Sequence, residues 1–455
     1  YIIIFFIPKI NQFGSVKTNP FTNQTKKIIM KKRYLLLLAA VASFKGYSQT
    51  PAAPAPVAND YSISWYGFVR TDYMWDTRKS AQVREDHLNL YPLDKSINAG
   101  DGKDANAVGQ SNFLSVVSRL GVKMKGPDVW GAKVSGTLEG DFFGNFENAS
   151  TSTTTVGLLR LRHAYAQLDW KKTSLTMGQT WYPTFIPEVF PGVANFSTGI
   201  MFNPFGWASQ VKLKQNLSKD LSISFTAYKE REFTTSGPGT QNSASINSAI
   251  PSINTQLQYK GKNVFMGAGV EVKSLQPRTD NGLSGTAKKN TTEKANSTTI
   301  FGYGKYANDN ITIKAYGISG GNLFNMVMLG GYIGSTTNGI ESYEATKTSA
   351  FWLDIASNGK SVAPGLFFGR TQNNGADQAG TVAYGRGIGV GGARMVDNVW
   401  RVSGRIDFKK NKFRITPELE LTSADWGASD SYGKATGALT NVSNFRTMVS
   451  CVYTF

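Results

Sequence analysis

Apolar and polar side chains alternate at every second position through most of this 455-residue chain, and that period constrains the fold more than any motif. In residues 132–143, Ala132, Val134, Leu138 and Phe142 alternate with Lys133, Ser135, Thr137, Glu139 and Asp141. Residues 399–409 set Trp400, Val402, Ile406 and Phe408 against Arg401, Ser403, Arg405, Asp407 and Lys409; residues 414–422 repeat the pattern. Period two means strands with one apolar and one polar face. After Tyr61 nothing approaches the ~18 consecutive apolar residues of a membrane helix, and long helical periodicity is absent.

Long amphipathic strands suit a soluble sandwich or a transmembrane barrel, so the connections decide. Seven are short and rich in turn residues: 126–131, 171–173, 216–220, 260–263, 307–310, 357–360 and 410–412. Eight are long Gly/Asn/Ser/Thr segments near 78–111, 144–157, 183–206, 234–250, 276–297, 321–346, 372–396 and 427–440. Fifteen alternating connections join sixteen strands, with all long loops at one end and all turns plus both termini at the other. This predicts an all-β chain: a transmembrane antiparallel β-barrel of about 16 strands with long external loops and short periplasmic turns. Residues 346–396 leave fourteen or eighteen strands open. The final segment RTMVSCVYTF sets Phe445, Val449, Cys451, Tyr453 and Phe455 on one face and ends in Phe, resembling the signal read by the barrel assembly machinery. Trp65, Trp75, Trp130, Trp170, Trp181, Trp207, Trp400 and Trp426 fit interfacial girdles or, equally, core aromatics.

The charge balance has two sources. The chain carries 49 Lys+Arg against 31 Asp+Glu, a formal +18. From Met30, MKKRYLLLLAAVASFKGYSQT has the basic, apolar and small-residue regions of a secretory signal peptide, assigned to 30–48. Residues 1–29 are expected to be upstream, non-native sequence, 49–60 a Pro/Ala linker, and 61–455 the barrel. Eight basic residues and no acidic one precede Gln49, which leaves 41 against 31, or +10. One Cys and two His exclude a disulfide framework and a Cys/His zinc site of standard spacing; no cofactor is expected.

The segments YGFVRTDYMWDT (66–77), SRLGVKMKGP (118–127), LEGDFFG (138–144), LRLRHAYAQL (159–168) and GQTWYPT (178–184) resemble, in order, the DcaP-like family of trimeric outer-membrane porins. The run LRLRHAY followed by GQTW is the most specific part, and beyond Trp207 the likeness is architectural. The resemblance implies a sixteen-stranded barrel, a homotrimer, location in the outer membrane of a Gram-negative bacterium, and diffusion of small, often anionic, solutes. This chain has a short Pro/Ala linker where some members carry a helical extension.

About sixteen strands enclose an aqueous lumen, so selectivity belongs to the inward faces. With apolar partners facing lipid, the inward set is Arg70, Asp72, Asp76, Arg119, Lys123, Lys133, Glu139, Asp141, Arg160, Arg162, Lys212, Lys214, Glu271, Lys273, Lys314, Arg401, Arg405, Asp407, Arg414, Glu418 and Glu420. Thirteen basic groups against eight acidic ones predict a modest preference for anions. Arg160 and Arg162, two apart, form the expected constriction ladder; the alternative is that they only pair with Glu139 and Asp141. The loop 183–206 follows the fifth strand and is unusually apolar and Pro-rich, so it is expected to narrow the lumen, with Glu188 its only charge. A trimer-contact or cap loop is the alternative.

Other functions are less well supplied. A barrel-based outer-membrane enzyme of lipase or protease type needs a positioned nucleophile and base, and His87 and His163 are the only histidines. His163 reads as a barrel-wall residue and Cys451 as an outward apolar thiol. Gly387, Gly389 and Gly392 have GxGxxG spacing but no βαβ context. Basic residues spread along every strand instead of clustering with aromatics, which argues against nucleic acid. The expected partners are small hydrophilic or anionic solutes, outer-membrane lipid and two further copies of the chain.

Overall fold

A computed structural model describes residues 61–84, 87–144, 157–240 and 242–455. The upstream, signal-peptide and linker assignments over 1–60 lie outside the described residues, as does most of the loop 144–157. Sixteen antiparallel strands close into one barrel: β1 (Ser62–Asp76), β2 (Gln110–Leu114 continued by Arg119–Val129), β3 (Ala132–Asp141), β4 (Arg160–Asp169), β5 (Thr173–Trp181), β6 (Trp207–Asn216), β7 (Leu221–Glu230), β8 (Ser252–Lys260), β9 (Val264–Leu275), β10 (Ala295–Ala307), β11 (Ile311–Gly321), β12 (Lys347–Ser357), β13 (Val362–Gly375), β14 (Arg394–Lys410), β15 (Phe413–Ser429) and β16 (Ala435–Thr454). Closure runs through β1 and β16, from Phe68 opposite Thr454 to Asp76 opposite Arg446. With no free edge, every strand finds its hydrogen bonds within the wall.

The alternation reads directly as orientation. Along β13, Val362, Leu366 and Phe368 are exposed on the outer face, while Ala363, Phe367 and Thr371 are buried inward. The C-terminal face behaves likewise: Phe445, Tyr453 and Phe455 are exposed, and the Phe455 N–H donates to the Gly67 carbonyl, tying the last residue to β1. Trp130 and Gly131 both take positive φ (52° and 73°), the conformation that lets a two-residue turn match strand twist. Within β2, residues 115–118 leave the ladder, and the Ser118 hydroxyl instead accepts the Arg70 N–H at 3.0 Å.

Two irregularities depart from simple alternation. Between Gly140 and Glu139 the register of β3 with β4 shifts by one, because Leu161 pairs with Gly140 while His163 pairs with Glu139. Arg162 is the extra residue of this bulge, so Arg162 and His163 both face the lumen although adjacent in sequence. The expected long loop 427–440 is mostly strand: β15 and β16 pair up to Ser429 opposite Ala435, leaving only 430–434 as the turn. Gly and Ser in that stretch read as loop chemistry, but the ladder continues through them. Outside the barrel, Gly330–Thr337, Ile340–Ala345 and Val382–Arg386 form a three-stranded sheet from the long connections after β11 and β13.

Candidate functional site: the barrel lumen

The connection from β5 to β6, residues 182–206, runs inside the barrel and is held by inward side chains of strands far from its own. Glu418 on β15 accepts the backbone N–H groups of Ala194 (2.8 Å) and Asn195 (3.2 Å), and Asp354 on β12 accepts that of Gly192 (3.2 Å). Arg70 on β1 donates to the Ala194 carbonyl, Lys314 on β11 to that of Phe190, and Tyr316 to that of Thr184. Trp352 donates its indole N–H to Asn203 at 3.1 Å. Ile186, Val189, Ile200, Met201, Phe202 and Phe205 pack into one apolar cluster, joined by Leu88 and Leu90 from the first long loop and Leu323, Met326 and Leu329 from the sixth. The apolar composition of 183–206 thus has a place to go: it is buried inside the barrel, where water would otherwise meet it. At this height the inward residues Thr226, Asn254, Tyr316, Trp352 and Arg401 are buried beneath the loops.

On the wall β1–β4 the ionic side chains are tightly matched. Arg160 donates to both oxygens of Asp141 (2.9 and 2.7 Å) and to Glu232 (2.8 Å). Arg162 donates to Glu139 (2.7 Å) and Asp141 (3.1 Å), with its guanidinium 4.3 Å from the Trp207 ring centre and 5.2 Å from that of Trp181. Arg84, from the first long loop, joins Glu232 at 2.9 Å. Arg119 lies 3.5 Å from Glu139 and over the Phe68 ring, and the Tyr66 hydroxyl donates to Glu139. Arg70 pairs with Asp72, and Arg446 with Asp76. Charge-assisted pairs of this kind satisfy each partner in place. Trp181 and Trp207, expected among girdle candidates, stack on one another inside this network at 4.2 Å; Trp65, Trp75 and Trp130 are exposed outward.

The wall β6–β11 differs. Lys212 and Lys214 on β6, Lys305 on β10 and Lys314 on β11 share the inward face and stay partly exposed, and none has a carboxylate oxygen within 4.0 Å among the described residues. Lys123 on β2 stands over the Tyr66 ring, likewise without a carboxylate. Glu188 is exposed on the loop and acts electrostatically on Lys212 and Tyr303. Inward carboxylates are engaged: Glu230 with Lys273, Asp354 with Arg405, Glu420 with Arg401, Glu271 with Tyr228 and Asn254, and Asp407 with Thr416, Lys409 and Arg414.

All the inward residues named from the sequence on β1–β4, β14 and β15 turn to the interior, and Arg160, Arg162, Glu139 and Asp141 come together in one cluster. Sequence reasoning missed Asp354, Lys305, Glu230 and Arg446. Each stands on the polar face of an alternating segment, Asp354 between Leu353 and Ile355, so parity alone marked them. Arg84 and Glu232 lie in long loops, and nothing local signals that those loops enter the barrel.

An apolar outer face on a closed sixteen-strand antiparallel barrel, with long loops at one end and an inward loop after the fifth strand, is the architecture of a porin-type outer-membrane barrel. The DcaP outer-membrane channel of Acinetobacter baumannii has this fold: the TM-score is 0.61 over 87% of this chain and 97% of that one, at 16% identity. An anion-selective porin from Comamonas acidovorans matches over 87% of this chain and 100% of its own, with TM-score 0.51 and 11% identity. OmpT of the Vibrio cholerae outer membrane gives 0.50 over 88% and 99%, at 11% identity. No protein-family profile matches the chain, and no curated protein does. The DcaP-like resemblance carried by LRLRHAY and GQTW agrees with the fold found here.

Proposed function

We propose that the chain is a porin that conducts small hydrophilic solutes with a preference for anions. The observation that carries this reading is the contrast between engaged carboxylates and the unpaired lysines Lys212, Lys214, Lys305 and Lys314. Fixed positive charge with no carboxylate in direct contact lowers the barrier for an anion that sheds hydration in a narrow, low-dielectric passage. The loop 183–206 is the constriction, with Glu188 on it facing the lysines. Arg160 and Arg162 act mainly as supports on this reading, because Asp141, Glu139 and Glu232 already neutralise them; Arg70, Arg119, Lys123, Arg401, Arg405 and Arg414 complete the lining. Likeness in fold to a porin named as anion-selective agrees with this.

The same proposal includes a signal peptide over 30–48, a homotrimer in outer-membrane lipid, and recognition of the Phe455 strand by the assembly machinery. A barrel-based lipase or protease is the poorer reading. His87 is fully buried inside the barrel, and His163 is 9% exposed with Nδ1 3.0 Å from the Thr180 hydroxyl, so neither offers a base at the outer surface. Reversal potentials in planar bilayers across a salt gradient test the reading. The expected sign is that of anion preference; cation preference or absence of conductance overturns it.

A further inference from the structure

The register places Lys409, Arg414, Val452 and Arg70 side by side on four consecutive strands, β14, β15, β16 and β1, all at one height. Phe68 and Thr454 pair one step nearer the periplasmic end, where the Thr454 N–H donates to the carbonyl of Lys412 in the β14–β15 turn. Phe68, Arg70, Lys409, Lys412, Arg414 and Val452 line a cavity of about 540 Å³. That is the size range of small-molecule sites.

Charge in this cavity is not balanced. Arg70 is satisfied by Asp72 at 2.7 Å. Asp407 is shared, 3.9 Å from Lys409 and 3.9 Å from Arg414, distances too long for a hydrogen bond, and its Oδ1 already takes the Thr416 hydroxyl at 2.7 Å. Lys412 has no carboxylate within 4.0 Å among the described residues, so Lys409, Lys412 and Arg414 have one loosely placed carboxylate between them. Beside them, on the next two strands, lie Val452 and the Phe68 ring, which also has the Arg119 guanidinium 4.8 Å from its centre. Loosely countered cations beside the apolar strip of Val452 and Phe68 suit an anion with a single charged head and a flat apolar body.

We propose that this cavity is a docking site at the periplasmic mouth for single-headed amphiphilic anions, separate from the lysines of β6–β11. It uses the porin reading only for solute access, and binding is measurable without conduction. The test is fluorescence titration of the full barrel in neutral detergent with 2-naphthalenesulfonate. One saturable site per chain is expected, displaced poorly by methanesulfonate. Half-saturation should rise about tenfold, the loss of one charge-assisted contact or more, in Lys412→Gln/Arg414→Gln and stay unchanged in Lys212→Gln/Lys214→Gln. Lys412→Gln alone changes only an exposed turn residue and should show a smaller rise, which covers the case where the double variant does not fold. Absence of saturable binding, equal displacement by methanesulfonate, or equal weakening by the β6 variant would overturn the site. A barrel that conducts anions but fails these criteria loses this site and keeps the porin reading; one that binds without conducting does the reverse.

Discussion

Two walls of one barrel handle charge in opposite ways. On β1–β4 every guanidinium faces a carboxylate, and Arg160 and Arg162 each engage two. On β6–β11 Lys212, Lys214, Lys305 and Lys314 face the lumen with no carboxylate within 4.0 Å among the described residues, and only the buried Lys273 meets one, Glu230 at 3.6 Å. The residue types fit the roles. A planar guanidinium locks bidentately onto Asp141 and stands over Trp207, whereas an ammonium on a flexible stem keeps its hydration and its field in the lumen. A charge count that adds the two walls therefore mixes structural with electrostatic cations.

The largest effect should come from breaking the matched wall. Asp141 is fully buried and receives Arg160 and Arg162, so Asp141→Ala takes one of two carboxylates from each of two buried guanidinium groups, leaving Glu232 and Glu139 to hold them. Removing one partner of a buried pair costs about 3–5 kcal/mol. Urea unfolding of the refolded barrel should show a loss of that size; a shift below about 1 kcal/mol, the range of exposed pairs, would mean that water reaches this network.

Smaller in energy but larger in selectivity is the change expected on the other wall. A lysine about 7 Å from a permeating anion contributes roughly 0.6 kcal/mol in a water-like medium, close to an e-fold in local anion concentration. Lys212→Gln/Lys214→Gln/Lys305→Gln/Lys314→Gln should therefore lower the anion-to-cation permeability ratio several-fold at low salt and less at high salt. Arg162→Gln should leave that ratio nearly unchanged while lowering stability. If Arg162→Gln moves the reversal potential more than the lysine set does, the division between the walls is wrong.

Much of this arrangement was legible in the sequence. Strict alternation decides which face of β3 and β4 turns inward, so parity alone places Glu139, Asp141, Arg160 and Arg162 together. Tight turns such as Trp130–Gly131 carry local signals because their backbone demands particular residues. The bulge at Arg162 had no such signal; it arises from pairing with β3, and parity alone would have sent His163 outward. The loop ends of Arg84 and Glu232 were illegible for a related reason: their partners are set by where 182–206 and its neighbours pack, which is a property of the closed barrel. The stretch 427–440 misled because composition says turn while the partner strand extends the ladder.

A third environment, outside both walls, gives the smallest effect and sharpens the contrast. In the first long loop Asp104 accepts the backbone N–H groups of Ser96 (3.0 Å) and Asn106 (3.0 Å) and pairs with Arg78 at 2.7 Å. The Ser96 hydrogen bond, with those from Arg78 and Asn106, holds its carboxyl down at about 2. A carboxyl depressed in the folded state contributes stability that is complete above its unfolded value near 4 and disappears as pH falls through the folded one. Hydrogen exchange at Ser96 and Asn106, corrected for intrinsic rates, should stay protected from neutral pH to about 4 and weaken progressively towards about 2. The loop should loosen there while β1–β4 stays folded, because the Asp104 carboxyl bonds to Ser96, Asn106 and Arg78 of the loop, whereas the strands keep their own ladders. Loss of protection already between about pH 6 and 5, well above the ordinary carboxyl range, would show that some other group holds the turn.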